Sequence, residues 1–148
     1  MANGEVQTVT ADKIIIAVGG RPSYPGIPGD TELGISSDDI FSIKKAPGKT
    51  LIIGASYVAL ECAGFLRALG YDATVMVRSI LLRGFDQDMA NRIGVAMEQL
   101  GTKFIRSATP SSLEKVGDKI KVTYQQQGES KSDEYDTVLF AMGRYALT

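Results

Sequence analysis

The stretch that decides the fold is Thr50-Leu-Ile-Ile-Gly-Ala-Ser-Tyr-Val-Ala-Leu-Glu61. Its apolar start predicts a buried strand, Gly54 predicts a tight turn, and the residues after the turn predict a helix. A strand that passes through a glycine turn into a helix presents backbone amides to a phosphate group. The segment Gly54-x-Ser56-x-x-Ala59 is a degenerate glycine fingerprint, with small residues where the backbone must approach a ligand closely. The alternative is a tight strand–helix turn without a ligand, and the strands and helices around it favour the binding interpretation.

A second stretch, Val77-Arg-Ser-Ile-Leu-Leu-Arg83, follows the strand predicted over residues 73–77. This is where a dinucleotide-binding fold reads the adenosine ribose, and where an NAD site has an acidic residue for the 2′-hydroxyl. The chain has Arg78 and Arg83 instead, with Ser79 as an additional hydroxyl donor. Surface arginines are usually only solvated, but two guanidinium groups at this place suit a 2′-phosphate. The sequence therefore predicts NADPH as the cofactor.

The pattern around these motifs predicts an α/β, Rossmann-like fold with a small parallel sheet and flanking helices. Helices are expected over residues 57–69 and 87–100, the second capped by Asp86. Strands are expected at 50–53, 73–77 and 103–106, followed by an antiparallel β-meander over 112–116, 119–125 and 133–140 that crosses one face. The apolar residues expected on the inner faces of the helices are Val58, Cys62, Phe65, Leu66, Leu69, Met89, Ile93, Met97 and Leu100.

The region before residue 50 is predicted to be less regular. Strands are expected at 6–10 and 13–18, and the continuous apolar run Ile14–Val18 is typical of a strand that is buried on both faces. Residues 36–42 predict a short helical turn with Ser36 or Ser37 as its cap. We expect Ile40, Phe41 and Ile43 to pack beside the strand 14–18. The polar stretch 44–49 predicts a domain boundary.

Composition excludes several kinds of function. The 148 residues include 16 basic and 17 acidic ones, so neither nucleic acid nor an anionic membrane is an expected partner. The single cysteine, Cys62, cannot form a dithiol pair, and its apolar neighbours predict an inert buried thiol. There is no histidine, the commonest general base and metal ligand. We therefore predict no catalytic residue and no metal site in this chain.

Two segments carry a resemblance to a known family. Residues 54–64 and 75–86 resemble the large, animal-type thioredoxin reductases and the thioredoxin–glutathione reductases, which are glutathione-reductase-like flavoprotein disulfide reductases. Ile16–Pro22 is similar to the segment where that family's chain leaves the flavin domain, and Ala141–Arg144 to the segment where it returns. The resemblance covers nearly the whole chain.

The resemblance implies a domain organisation. Residues 1–46 would be a strip of the FAD-binding domain and a linker, 47–141 the NADPH-binding domain, and 142–148 the return segment. A parent enzyme would carry a flavin-binding half with a cysteine pair before residue 1, and a dimerisation domain with a catalytic histidine and glutamate after residue 148. It would be a homodimer that reduces thioredoxin. We expect it in the cytoplasm, or in mitochondria if a targeting segment lies outside this chain, and we expect this chain alone to retain no FAD.

The resemblance also implies residue roles. Tyr57 would gate the nicotinamide pocket, Glu61 would lie near the nicotinamide, and Gly143 and Arg144 would lie at the domain junction near the cofactor. Spacing alone favours half-buried packing for Tyr57 and an ordinary helix salt bridge for Glu61. The candidate NADPH contacts are Gly54, Ala55, Ser56, Tyr57, Val58, Glu61, Arg78, Ser79, Arg83, Gly143 and Arg144. The candidate FAD contacts at the junction are Ala17, Val18 and Gly19, where Val18 replaces the family's usual threonine.

Two other functions compete with this interpretation. A stand-alone NADPH-binding module, such as a redox sensor, also explains the missing histidine and dithiol. The apolar strand and junction over residues 14–22 disfavour it, because they suit a larger flavin domain. The equivalent domain of another disulfide reductase, such as glutathione reductase, is disfavoured by residues 79–86.

Overall fold

A parallel sheet of five strands forms the centre of the fold in the computed structural model, which describes residue 4 and residues 6–148. The elements in chain order are β1 (Gly20–Pro22), α1 (Asp30–Leu33), β2 (Ile35–Ser36), β3 (Thr50–Ile53), α2 (Tyr57–Ala68), β4 (Ala73–Val77), α3 (Gln87–Gln99), β5 (Lys103–Arg106), β6 (Ala108–Val116), β7 (Lys119–Gln126), β8 (Glu129–Tyr135), β9 (Thr137–Phe140) and β10 (Arg144–Ala146). The strand order of the parallel sheet is β2-β9-β3-β4-β5, while β6, β7 and β8 form an antiparallel sheet and β1 pairs with β10. The α/β fold with a parallel sheet, helices and a β-meander is therefore confirmed.

The parallel sheet is covered on both faces, which explains why every residue of β3 and β4 is buried and all but one threonine in each strand are apolar. On one face, Ile52, Val75 and Leu139 pack with the apolar side of α2 and form the helix-side core. On the other face, side chains such as Leu51 and Phe140 pack with those of the meander. Alternate side chains of one strand point to opposite faces, so β3 contributes to both cores. The meander covers one face of the sheet, as predicted.

Both long helices begin at a side-chain cap. The Ser56 hydroxyl accepts a hydrogen bond from the Ala59 amide at 3.3 Å, and the Asp86 carboxylate accepts one from the Met89 amide at 2.9 Å. Such caps satisfy amides that have no partner within the helix. The prediction of Asp86 as a cap is confirmed.

The face that α3 buries differs from the prediction. Met89 and Leu100 are 60% and 74% exposed, and Ile93 is exposed as well, whereas Ala90 and Gly94 are buried. A Cβ carbon on Gly94 would come within 2.6 Å of the Leu81 Cδ1 atom, so the small residue makes room for a leucine from the preceding loop. The prediction was wrong for Met89, Ile93 and Leu100, and likewise for Leu69, which is exposed at the end of α2.

The predicted strands at 6–10 and 13–18 are absent. Ile14, Ile15 and Ile16 are 78%, 89% and 71% exposed, because no strand among the described residues pairs with this segment. Ile40 packs in the helix-side core and the exposed Phe41 ring lies 5.4 Å from the Phe65 ring, so neither residue packs beside the segment 14–18.

Residues 37–42 form turns, and the Ser36 hydroxyl accepts a hydrogen bond from the Asp38 amide at 3.2 Å. The predicted turn and its Ser36 cap are confirmed.

The strand predicted over residues 133–140 is divided at Asp136 into β8 and β9. The Asp136 amide donates to the Lys49 carbonyl at 2.8 Å, and its carboxylate accepts bonds from the Lys49 amide at 2.8 Å and the Lys119 ammonium at 2.9 Å. The hydrogen bond from Lys119, followed by that from the Lys49 amide, lowers the pKa of Asp136. Asp136 therefore ends the meander and directs the chain back into the parallel sheet beside β3.

Candidate functional site

An open cleft with a volume of about 270 Å³ lies at the carboxyl ends of β3, β4 and β9. The chain moves from β3 outward through β4 to β5, whereas β9 lies on the other side of β3. Open α/β sheets bind ligands at such a point, where the strand order reverses. The residues that line the cleft are Ile53, Gly54, Ala55, Ser56, Met76, Arg78, Ser79, Ile80, Arg83, Ala108, Thr109, Pro110, Ala141 and Met142.

The glycine turn lines this cleft at the end of β3. Gly54 has a φ of 126°, and a Cβ carbon built on it would collide with the Ala141 carbonyl oxygen. The Gly54 amide donates to the Met76 carbonyl at 3.1 Å, and the Ser56 hydroxyl donates to the Ala141 carbonyl at 3.0 Å. The turn is thus bound to the strands on either side of β3, while the first amides of α2 have no partner within the helix.

Two arginines and a serine line the cleft beside the end of β4. The Arg83 Nη2 atom donates to the Ser79 Oγ atom at 2.7 Å, and Arg78 lines the same cleft. Within the described part of the chain, neither guanidinium forms a salt bridge. All three side chains are exposed. This part of the cleft therefore carries positive charge that no carboxylate of the described residues neutralises, which suits an anion.

Three of the predicted residues on α2 lie beside the cleft rather than in its lining. Tyr57 is 56% exposed, Glu61 is exposed and makes no salt bridge to any described residue, and Val58 is half-buried against the helix-side core. Spacing alone favours half-buried packing for Tyr57 and a helix salt bridge for Glu61. The structure shows neither of these among the described residues.

The junction residues lie outside the cleft. The Arg144 guanidinium bonds the Asp38 carboxylate at 3.0 Å and the Gly20 carbonyl at 2.8 Å. The Gly143 carbonyl accepts a bond from the Ser23 amide at 2.9 Å. These contacts join the segment after β9 to the segment around β1. The predicted FAD-contact residues Ala17, Val18 and Gly19 are exposed and irregular, and the Leu147 amide donates to the Gly19 carbonyl at 3.2 Å.

Sequence reasoning missed a second group of lining residues. Thr109 and Pro110 follow β5 almost directly, and Met142 follows β9. The carboxyl ends of parallel strands meet at one edge of a sheet. Their positions shortly after predicted parallel strands could therefore have identified Thr109, Pro110 and Met142 as lining residues.

The one cysteine, Cys62, is buried and is not among the residues that line the cleft. Burial, with a smaller contribution from the Glu61 carboxylate, raises the pKa of the Cys62 thiol. The thiolate, which is the nucleophilic form, is therefore disfavoured. Among residue 4 and residues 6–148, acidic and sulfur side chains form no cluster of three that would hold a metal ion. No helix in the same part of the chain is long and apolar enough to cross a membrane.

The sequence model of the family described as pyridine nucleotide-disulphide oxidoreductase matches residues 1–148. The chain belongs to this family. Among the curated members that it matches, it is 55% identical over 148 residues to thioredoxin reductase SEP1 of Emiliania huxleyi, covering 98% of this chain and 30% of the relative. It is 49% identical over 150 residues to thioredoxin reductase 2, mitochondrial, of Drosophila melanogaster, covering 99% of this chain and 29% of the relative. A thioredoxin reductase of Plasmodium falciparum is 55% identical over 139 residues, covering 93% and 25% respectively.

The resemblance to thioredoxin reductases is therefore confirmed, and the chain spans less than a third of the length of these pyridine nucleotide-disulphide oxidoreductases. A solved structure of the HOCl-induced flavoprotein disulfide reductase RclA from Escherichia coli, in a Cu(II) complex, superimposes with a TM-score of 0.76 at 24% identity. The match covers 88% of this chain and 29% of that one. At this identity the likeness concerns the fold. The family implies a flavin and a nicotinamide cofactor in the longer enzymes.

Proposed function

We propose that this chain binds NADPH in the cleft and, within a longer flavoprotein, presents it for hydride transfer to FAD. The electrons would then pass to a disulfide, with thioredoxin as the final substrate. One observation carries the proposal: Arg78 and Arg83, without salt bridges among the described residues, line the same cleft as Ser79 and the Gly54 turn. NADPH supplies a hydride when bound, and the role of this chain is to bind and orient it.

The Gly54 turn suits a pyrophosphate. Gly54 has no side chain, and there is no room for one. Its backbone can therefore approach a ligand closely. The amino end of α2 adds the positive end of the helix dipole, which favours an anion. The Ser56 hydroxyl donates to Ala141, which leaves its oxygen to cap α2 and keeps the turn in place.

The two arginines of the cleft, Arg78 and Arg83, suit a 2′-phosphate. An NAD site needs a carboxylate after the second strand of the fold, and here Arg78 follows β4 directly. Each hydrogen bond to a charged group contributes about 1.5–3 kcal/mol. The Ser79 hydroxyl and the two guanidinium groups together offer such bonds to a phosphate, and a ribose 2′-hydroxyl lacks the charge to use them.

For the nicotinamide end we propose Tyr57 and Glu61, which lie near the cleft on the first turns of α2. Tyr57 is exposed, so its ring is free to move over a nicotinamide. We also propose that Gly143 and Arg144 lie near the cofactor. Their backbone would make the contact, because the Arg144 guanidinium is already bonded to the Asp38 carboxylate.

The remaining proposals concern the longer protein. We propose that residues 1–46 and 142–148 adjoin a flavin domain, that the domain between them is 47–141, and that the whole enzyme is a homodimer in the cytoplasm or in mitochondria. The exposed apolar run Ile14–Ile16 supports a larger partner domain and disfavours a stand-alone sensor.

Titration calorimetry of this chain with NADPH and with NADH tests the proposal. We expect NADPH to bind at least about tenfold more tightly, which corresponds to one charge-assisted hydrogen bond. Equal affinities for the two nucleotides, or no binding of either, would overturn it.

A further inference from the structure

The loop between β4 and α3, residues 78–86, carries both arginines of the cleft and has an unusual backbone. Leu82 lies in the left-handed region with a φ of 47°, and Gly84 has a φ of 93°. A leucine adopts this conformation only at a cost in free energy, because its Cβ crowds the backbone. Contacts with the rest of the chain must therefore hold Leu82, the residue directly before Arg83, in this conformation.

Part of the restraint comes from the core and from the glycine turn. The side chains of Leu81 and Leu82 are buried in the helix-side core. The Leu82 amide donates to the Ala55 carbonyl at 2.8 Å, and the Phe85 amide donates to the Leu82 carbonyl at 3.0 Å. The arginine loop is thus fastened to the same turn that we assign to the pyrophosphate.

A further restraint comes from one side chain. The Gln87 Nε2 atom lies 3.0 Å from the Phe85 carbonyl oxygen, 3.3 Å from that of Leu82 and 3.4 Å from that of Leu81. All three neighbours are acceptors, so the amide nitrogen must face them. Gln87 is the first residue of α3, and Asp86 already caps that helix. The Gln87 side chain therefore bonds the loop and is not required for the cap.

We infer that Gln87 is a positioning residue for recognition of the 2′-phosphate. Its carboxamide holds carbonyl groups on both sides of Arg83, and this fixes the backbone from which the guanidinium reaches Ser79. The inference rests on the proposed function, because it assigns Gln87 to the NADP-specific end of the same cleft. Gln87 acts through Arg83 and is not one of the residues that line the cleft.

The test compares nucleotide preference in matched variants. Gln87→Met keeps the length of the side chain and a good helix former but removes the donors. Gln99→Met, at the other end of α3, is the control, since Gln99 is exposed and its side chain makes no hydrogen bond to the described residues. We expect Gln87→Met to weaken NADPH binding about three- to tenfold, as for the loss of one ordinary hydrogen bond, and to leave NADH binding unchanged. The control should match the wild type with both nucleotides.

The outcomes separate this inference from the proposed function. A wild-type chain that binds NADPH and NADH equally contradicts the proposed function itself. A wild type that prefers NADPH, with the preference retained in Gln87→Met, contradicts only the role of Gln87. An equal loss of affinity for both nucleotides shows a purely structural role and also overturns the inference.

A measurement on the wild type keeps the inference falsifiable if Gln87→Met does not fold. In the ligand-free chain, the amides of Leu82 and Phe85 should exchange hydrogen slowly, because the loop is already held. Fast exchange that becomes slow only with NADPH would mean that the ligand orders the loop, and would contradict the assignment of Gln87.

Discussion

The carbonyl oxygen of Ala141 lies so close to the position of a Cβ carbon on Gly54 that the two atoms would collide. The two residues follow neighbouring parallel strands, β3 and β9, and the Ala141 amide donates to the Ile53 carbonyl at 2.8 Å. The missing side chain thus allows two strand ends to meet, and it would also allow the proposed ligand to approach. Gly54 therefore serves the stability of the sheet and the shape of the cleft at once.

Gly54→Ala should destabilise the chain and abolish nucleotide binding. The new methyl group meets backbone atoms, which cannot move aside as a flexible side chain can, and the φ of 126° is unfavourable for alanine. We expect a loss of about 1–3 kcal/mol in the free energy of unfolding, measured by urea denaturation. The control is Gly64→Ala within α2, where no atom lies within 4 Å of the added Cβ and alanine favours the helix. Equal stability of the two variants would contradict the prediction.

Arg83→Ala should weaken NADPH binding and leave NADH binding nearly unchanged. The lost charge-assisted bond corresponds to about a 10- to 150-fold loss of affinity, and Arg78→Ala should act in the same direction. Calorimetry measures both nucleotides, with Arg92→Ala as the control, since Arg92 is exposed on α3 away from the cleft lining. Added salt should reduce NADPH affinity more than NADH affinity. Parallel losses for the two nucleotides would argue against a 2′-phosphate site.

The chain alone should bind no FAD and should not oxidise NADPH with a disulfide acceptor. Its one cysteine cannot relay two electrons through a dithiol, and burial raises the pKa of that thiol, Cys62. Purified protein should show no flavin absorbance, and NADPH absorbance should persist in the presence of a disulfide. A yellow protein, or disulfide-dependent loss of NADPH, would overturn this prediction.

Asp136→Asn should lower the Tm at pH 7 and have little effect in acid. Because Lys119 and the Lys49 amide lower the pKa of Asp136, the ionised carboxylate stabilises the folded chain above the unfolded pKa, about 3.9. This contribution is lost as the pH falls through the lower pKa of the folded state. Melting curves from pH 7 to pH 2.5 measure it, with Asp118→Asn in the neighbouring β6–β7 turn as the control. A Tm difference that does not shrink as the pH falls would contradict the assignment.

Amide hydrogen exchange should be fast over residues 14–18 and slow over β3 and β4. The first segment is exposed and has no strand partner among the described residues, whereas both strands are buried within the parallel sheet. Mass spectrometry of peptides from the two regions measures the contrast. If residues 14–18 exchange as slowly as 50–77, the segment packs against another part of this chain, contrary to its exposed position here.

The sequence predicts the α/β core well because its signals are local. Gly54, the Asp86 cap and the apolar strands determine structure through neighbouring residues, so their elements could be recognised without the fold. Arg78 and Arg83 could be placed in one cleft because both follow a recognisable strand. Their ligand stays a prediction.

The errors occur where distant contacts decide the structure. On α3 the contact of Leu81 with Gly94 selects the buried face, and no hydrophobicity pattern reveals a contact made through a glycine. The segment 14–18 resembles a buried strand, but a strand needs pairing partners that the described residues do not provide. Asp136 interrupts an apolar pattern because it bonds Lys49, 87 positions earlier in the sequence. Sequence spacing gives no sign of such a partner.

The hydrogen bond between the Ser23 amide and the Gly143 carbonyl, together with the β1–β10 pairing, brings the segments that lead into and out of the parallel sheet side by side. For a polypeptide that continues on both sides, residues 24–142 then amount to an insertion whose ends already touch. Such an insertion adds little to the entropy of closing the host's own structure. A host fold could therefore gain this segment as an insertion, or have a short turn in its place. In either case the pairing of its own strands would stay the same.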